Sequence, residues 1–175
     1  MIRDKDIVIA VSQSGETADT LASLAEIKRR GIHSLGLVNV VGSTLAREVD
    51  GGIYLHAGPE ISVASTKAYS AMMTAVMLFG LKVARLKGLP RAESLEFAES
   101  LQSLPSEVEH TLAVSDQAKK VADQLQSIEH AFYLGRSDLY PIALEGALKL
   151  MEVSYIHAQP YPTGEMKHGP IALID

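Results

Sequence analysis

Cysteine is absent from all 175 residues. That excludes disulfides, thiolate metal sites and a cysteine nucleophile from this sequence. Tryptophan is also absent and aromatics make up only 5% of the chain, too few for the stacking platforms that hold single-stranded nucleic acid. Positive charge is scarce: 16 Lys and Arg face 21 Asp and Glu, a formal net charge of −5. General nucleic-acid binding relies on a basic surface, and no Lys/Arg cluster marks contact with a membrane. Long apolar runs are missing as well. The longest uncharged tract, Ala68 to Leu81, lies between Lys67 and Lys82 and is shorter than the ~20 residues that span a bilayer. The opening, Met1 to Asp6, is charged and does not resemble the apolar core of a signal peptide. A cytoplasmic protein with no nucleic-acid partner and no membrane partner is the expectation. No G-x-x-x-x-G-K-[ST] and no G-x-G-x-x-G occurs, which disfavours a nucleotide P-loop and a dinucleotide fold.

What is present suits a packed α/β chain. The hydrophobic content is 47%, enough for a substantial core in one domain or two small ones. The run Ile7–Val11 reads as a strand, Ala18–Arg30 as a helix stopped by Gly31, and Ser34–Val40 as a second strand. Thr44–Val49 reads as a short helix, and Gly51-Gly52 leads into a short strand, Ile53–Leu55. Apolar strands separated by helices imply a parallel sheet covered on both faces. Met72, Val76, Phe79, Val83 and Leu86 follow a 4-3-4-3 spacing, one face of a helix over Ser65–Lys87, ended by Gly88 and Pro90. Helices are expected over Arg91–Leu104, interrupted near Pro105, then over Glu107–Leu112 and Asp116–Gln126. The α/β pattern restarts with strand Ala131–Leu134, turn Gly135–Asp138 and helix Pro141–Tyr155. His157 to Asp175, rich in Pro, Gly and His, reads as an ordered functional loop. The resulting division is 1–90, a helical connection 91–128, and 129–175.

Three places carry candidate chemistry. The first is Ser12-Gln13-Ser14-Gly15-Glu16-Thr17, where a strand hands over to a helix. Backbone N–H groups and the positive end of the helix dipole converge there, which suits a phosphate. Hydroxyls add neutral donors, and Gly15 permits a tight turn. The plainer alternative is an N-cap that satisfies orphan N–H groups. The second is the helix face bearing Glu145, Lys149 and Glu152 at spacings of four and three, which place them together. They form either a solvated salt-bridge row or a carboxylate base beside an ammonium, suited to proton transfer next to an oxyanion. The third is His168, between Lys167 and Gly169-Pro170, a titratable group on a stiff backbone. His157 and His168 lack metal-ligand spacing, so no metal site and no cofactor are expected.

In combination, S-Q-S-G-E-T-A-D-T, V-A-S-T-K-A-Y, L-G-R-S-D-L-Y-P-I-A-L-E-G-A-L-K-L-M-E-V-S-Y-I-H-A and G-E-M-K-H-G-P-I-A-L-I-D resemble the isomerase domain of the glutamine–fructose-6-phosphate aminotransferase (glucosamine-6-phosphate synthase) family, built from sugar-isomerase (SIS) domains. The resemblance covers nearly the whole chain. It implies a three-layer helix–parallel sheet–helix fold and parts of two sugar-isomerase subdomains. It implies a hexose 6-phosphate ligand (fructose 6-phosphate or glucosamine 6-phosphate), ketose–aldose isomerisation after amination at C2, and a homodimer. Ser12, Gln13, Ser14 and Thr17 match the phosphate loop of that family, and Val63 and Ser65 match its sugar-contacting positions. Glu152 matches the base that moves a proton between C1 and C2, Lys149 its cationic neighbour. His168 matches a histidine that assists ring opening and reaches the partner subunit's active site.

The family also has a glutaminase domain with a cysteine nucleophile, a C-terminal lysine that forms a Schiff base with the open-chain sugar, and an opening strand in the first subdomain. None of these is in the sequence, so it is expected to join the later half of one subdomain to the earlier half of the next and to be inactive as a synthase by itself. Two other roles share the fold: a sugar-phosphate-binding regulatory module and a small ketose-phosphate isomerase. The set Glu152, Lys149 and His168 favours the aminotransferase.

Overall fold

A computed structural model describes residues 2–3 and 5–174. The chain forms two compact units, 1–104 and 105–175. In the first, β1 (Val8–Ser12), β2 (Ser34–Val38) and β3 (Gly51–Tyr54) form a parallel sheet in the order β1-β2-β3. Helices α1 (Ala18–Arg29) and α2 (Thr44–Glu48) make the connections, and α3 (Lys67–Leu86) follows. The register pairs Ala10 with Gly36 and Ser12 with Val38, and paired residues in a parallel sheet share a face. On that face Val38 joins Leu24 of α1 and Leu45 of α2 in a buried cluster, with Ala10, Leu21 and Val49 against it. On the opposite face Ile9, Leu35, Leu37 and Ile53 line a hollow of about 160 Å³ with Phe79 of α3. Coverage of that second face is incomplete: Ile9 and Val11 remain about two-fifths exposed, although continuous apolar runs predict burial on both sides.

The α3 helix outruns the uncharged tract expected from sequence. It takes in Lys82 and Arg85 and reaches 20 residues, long and apolar enough to cross a membrane by length and composition. It also buries Ala68 and Ala75 against its own unit.

Helix α4 (Arg91–Leu112) departs from expectation by continuing through Pro105. Proline removes one backbone bond and crowds the carbonyl four residues back, yet the helix here absorbs that cost, and the separate helix expected over 107–112 is its last turns. The boundary between the two units falls at this proline. Helix α5 (Ser115–Gln124) then leads to the second unit's strands.

There β4 (His130–Gly135), α6 (Tyr140–Ser154) and β5 (His157–Pro162) form a βαβ crossover whose strands pair in parallel. The segment from His157 onward is therefore a strand, followed by two 3₁₀ turns, 163–168 and 170–173. Its prolines hid the strand from sequence. The His157 N–H donates to the Glu129 carbonyl, so N–H groups at 157, 159 and 161 point toward β4. Pro160 and Pro162 fall on the alternate positions, where no donor to β4 is required. A parallel crossover of this kind places loops at the carboxyl ends of its strands, the usual site of ligands in α/β sheets.

The turn from β4 into α6 tolerates no side chain at Gly135: a Cβ there would stand 2.5 Å from Tyr140 Cα, a backbone atom that cannot step aside. Gly80 in the middle of α3 has nothing within 4 Å of its would-be Cβ. Urea unfolding is expected to show Gly135→Ala destabilising by about 1–3 kcal/mol through overpacking. Gly80→Ala should stabilise by about 0.5–1 kcal/mol through helix propensity. Equal effects of the two substitutions would contradict this packing.

Candidate functional site

The loop after β1 is held by its own hydrogen bonds and by packing on a neighbouring loop. Gly15 adopts φ +68°, a left-handed conformation that costs glycine little. A Cβ on it would lie 2.6 Å from Ser43 Cβ, so the loop packs directly on the one after β2. Ser12 is buried and its Oγ accepts the Gly15 N–H at 2.9 Å, while Ser14 Oγ accepts the Glu16 N–H at 3.2 Å. Thr17 occupies the N-cap of α1 without a side-chain cap bond. Its hydroxyl therefore does not serve the capping role that the sequence left open. The first intrahelical bond is from Leu21 N–H to the Thr17 carbonyl at 3.0 Å. The N–H groups at 18–20 lack helical partners, as at every α-helix start. The result is a cup of neutral donors at the carboxyl end of a parallel strand, a chemistry that fits a phosphate dianion.

Three residues that sequence reasoning passed over hold this region. Glu16 Oε1 accepts the Thr44 N–H at 2.7 Å, and that bond holds its carboxyl below the usual carboxylate range, helped by the Thr44 side chain and the charge of Arg47. Asn39, buried at the end of β2, donates Nδ2–H to the Gly58 carbonyl at 2.7 Å and accepts the Ala57 N–H at 2.8 Å. Glu60 Oε2 accepts the Ala68 N–H at 3.0 Å at the start of α3, which lowers its pKa together with bonds from Thr66. Glu60 thus orders the V-A-S-T-K segment, in which Val63 is 89% exposed and Ser65 half-buried. No local signal marks Glu16 or Asn39, whose partners lie 28 and 18–19 residues away. A hollow of about 590 Å³ between α3 and α4, lined by Met77, Leu81 and Phe97 among others, contains none of the candidate residues.

In the second unit, α6 brings Glu145, Lys149 and Glu152 together. Lys149 Nζ lies 2.6 Å from Glu152 Oε2 and 3.3 Å from Glu145 Oε1. All three side chains are about three-quarters buried, so this is not the fully solvated row that spacing alone allows. Glu152 Oε1 has no hydrogen-bond partner among the described residues. The Lys149 ammonium is held above its ordinary pKa, chiefly by the hydrogen bond to Glu152 and further by Glu145, against the opposing effect of burial. His168 ends the first 3₁₀ turn and is exposed. No hydrogen bond joins it to the α6 set among the described residues.

A raised ammonium pKa means that Lys149 adds stability while it is protonated. That contribution is complete below the ordinary lysine value near 10.4 and is lost as pH rises through the elevated folded value. The stability gap between parent and Lys149→Met, from urea titrations at a series of pH values, should stay constant from neutral to about pH 10 and then narrow. A gap that widens above pH 10 would refute the assignment.

A model of the SIS domain matches residues 1–82 and 124–175. The chain is 52% identical over 174 residues to the glutamine–fructose-6-phosphate aminotransferase (isomerizing) of Aquifex aeolicus, covering 99% of this chain and 28% of that protein. To the enzyme of the same name from Escherichia coli K12 it is 49% identical over 175 residues, with 99% and 29% covered. It thus spans under a third of the length of these relatives. Among solved structures, the C-terminal domain of glucosamine-fructose-6-phosphate aminotransferase from Francisella tularensis superimposes with a TM-score of 0.97 at 43% identity, covering 99% of this chain and 49% of that one. A glucosamine-6-phosphate deaminase from Thermotoga maritima superimposes with a TM-score of 0.79 at 26% identity, covering 100% and 51%. With its helix-wrapped parallel strands and this match along most of its length, the chain belongs to the SIS domain family.

Proposed function

We propose that this chain is part of the isomerase domain of a cytoplasmic enzyme that makes glucosamine 6-phosphate from fructose 6-phosphate and glutamine. The observation that carries the reading is the α6 set: an ammonium 2.6 Å from one carboxylate oxygen, with the other oxygen unengaged. A sensor of sugar phosphates has no need of it. In this reading residues 1–90 hold the phosphate through Ser12, Gln13, Ser14 and Thr17, with Val63 and Ser65 at the sugar. The helices of 91–128 connect it to 129–175, where Glu152 moves the proton between C1 and C2. Lys149 stabilises the negative charge that develops on the oxygen, and His168 assists ring opening. A positioned base contributes roughly 10²–10⁴-fold, and misplacement by about 1 Å costs on the order of a hundredfold.

Titration calorimetry is expected to show binding of fructose 6-phosphate, weakened in Ser14→Ala and Thr17→Ala by about 0.5–3 kcal/mol per lost bond. Unchanged affinity in both variants would place the phosphate elsewhere. With ammonium as nitrogen source, only a trace rate of glucosamine 6-phosphate formation is expected. Glu152→Gln should abolish that trace, and a trace that survives the substitution would remove Glu152 from the proton transfer.

The reading extends to a homodimer. Ile61 and Leu86 of one unit and Tyr155 of the other stand 93%, 76% and 94% exposed, and covering such side chains would favour association. Light scattering across a concentration series should give a dimer mass, and a constant monomer mass would contradict it.

A further inference from the structure

The candidate phosphate loop owes its shape to its neighbour as well as to its own sequence. Three hydrogen bonds tie it to the loop after β2. Val40 N–H donates to the Gln13 carbonyl at 3.2 Å and Leu45 N–H to the Gly15 carbonyl at 3.0 Å. The third, from Thr44 N–H to Glu16 Oε1 at 2.7 Å, alone depends on a side chain. It is also charge-assisted, and such bonds are roughly twice as strong as neutral ones.

We infer that Glu16 is a positioning residue for sugar-phosphate binding, bracing the Ser12–Thr17 loop against the backbone of Thr44 so that its donors are set before the ligand arrives. The inference rests on the sugar-phosphate reading of that loop. A carboxylate beside an anion site is unfavourable on charge alone, by simple Coulomb repulsion. Here the charge is directed onto the Thr44 N–H, and Arg47 stands near enough to lower the Glu16 pKa. Arg47 is itself fixed by bonds to the Gly42 carbonyl and to Thr44 Oγ1. Geometry and charge therefore pull in opposite directions at Glu16, and that opposition makes the role testable. Removing the side chain removes the brace and the repulsion together. Replacing it with glutamine removes the repulsion and keeps an acceptor oxygen.

The bond can also be cut from the other side. Thr44 is the first residue of α2, after Ser43 at φ −61° and ψ 163°. That is the extended conformation required before proline, and proline suits the first position of a helix. Thr44→Pro therefore deletes the donor and puts its Cδ where the N–H stood, so the Glu16 carboxylate, 2.7 Å from that nitrogen, must swing away; Thr44→Ala controls for loss of the hydroxyl.

Fructose 6-phosphate affinity is measured by calorimetry on the parent chain, Glu16→Ala, Glu16→Gln, Thr44→Pro, Thr44→Ala and the Glu16→Ala/Thr44→Pro double variant, with circular dichroism to follow folding. Glu16→Ala and Thr44→Pro should each weaken binding about tenfold to a hundredfold, the scale of one charge-assisted bond. Glu16→Gln should restore binding to the parent level or better, and Thr44→Ala should leave it near the parent. The double variant should bind no more weakly than either single one, because both cut the same bond. If Glu16→Ala destabilises the chain, Thr44→Pro carries the test alone. Parent-like or tighter binding by the folded members of the Glu16→Ala and Thr44→Pro pair would overturn the positioning role while leaving the sugar-phosphate reading intact. No binding by the parent would overturn that reading and this inference with it.

Discussion

Everything at the carboxyl end of the first sheet depends on how closely two loops approach each other. Gly15 lies against Ser43 with no room for a Cβ between them, and Ser43 Oγ is buried there without a hydrogen-bond partner. Hydrogen bonds beside this contact hold the two loops together. Leu45 N–H on the Gly15 carbonyl and Thr44 N–H on the Glu16 carboxylate flank it. Leu45 is also fully buried in the core cluster. One residue thus anchors the second loop to the hydrophobic core while its backbone holds the first. Core packing and loop geometry are set by the same two or three residues.

The acidic residues follow a consistent logic. Glu16 serves the start of α2 and Glu60 the start of α3, each from a preceding loop. Asp50 does something similar for the edge of β2, accepting the Ser34 N–H at 2.8 Å. All three carboxyl groups are held below the ordinary range chiefly by backbone N–H donors. In a chain with net charge −5, carboxylates placed on backbone donors cancel partial positive charges at loop and helix ends. The start of α1 differs: its N-cap threonine hydroxyl makes no cap bond, and the acidic residue of its first turn is Asp19, on the helix itself.

Much of this was legible in the sequence because it is local. The strands, the helices α1, α3 and α6, and the three chemistry-bearing segments follow from apolar periodicity and from hydroxyls or carboxylates at short spacing. Three failures share another origin. Pro105 signals a break, yet α4 continues, because one lost backbone bond is affordable in a helix of 22 residues. Pro160 and Pro162 signal a loop, yet β5 forms, because the parallel register puts both on positions that need no donor toward β4. Glu16 and Asn39 carry no local signal at all, since their partners are brought near only by the crossover connections. Composition describes what a residue disfavours, while pairing decides whether that disfavour is ever felt.

The second unit reaches its chemistry by a different route from the first. In the first, donors are neutral and come mostly from backbone and hydroxyls, which suits binding an anion without titrating it. In the second, charge is concentrated: two carboxylates share one ammonium within 3.3 Å, leaving one net negative charge on a face about three-quarters buried. Burial disfavours that charge, and Lys149 compensates by staying protonated well above neutral pH. The ammonium engages one oxygen of Glu152, and no hydrogen bond reaches the other among the described residues. An i,i+4 and an i,i+3 spacing along two turns of a single helix are sufficient to build this set. The charged set therefore depends on the integrity of α6 alone, whereas the loop after β1 depends on contacts with a second loop that is far from it in sequence.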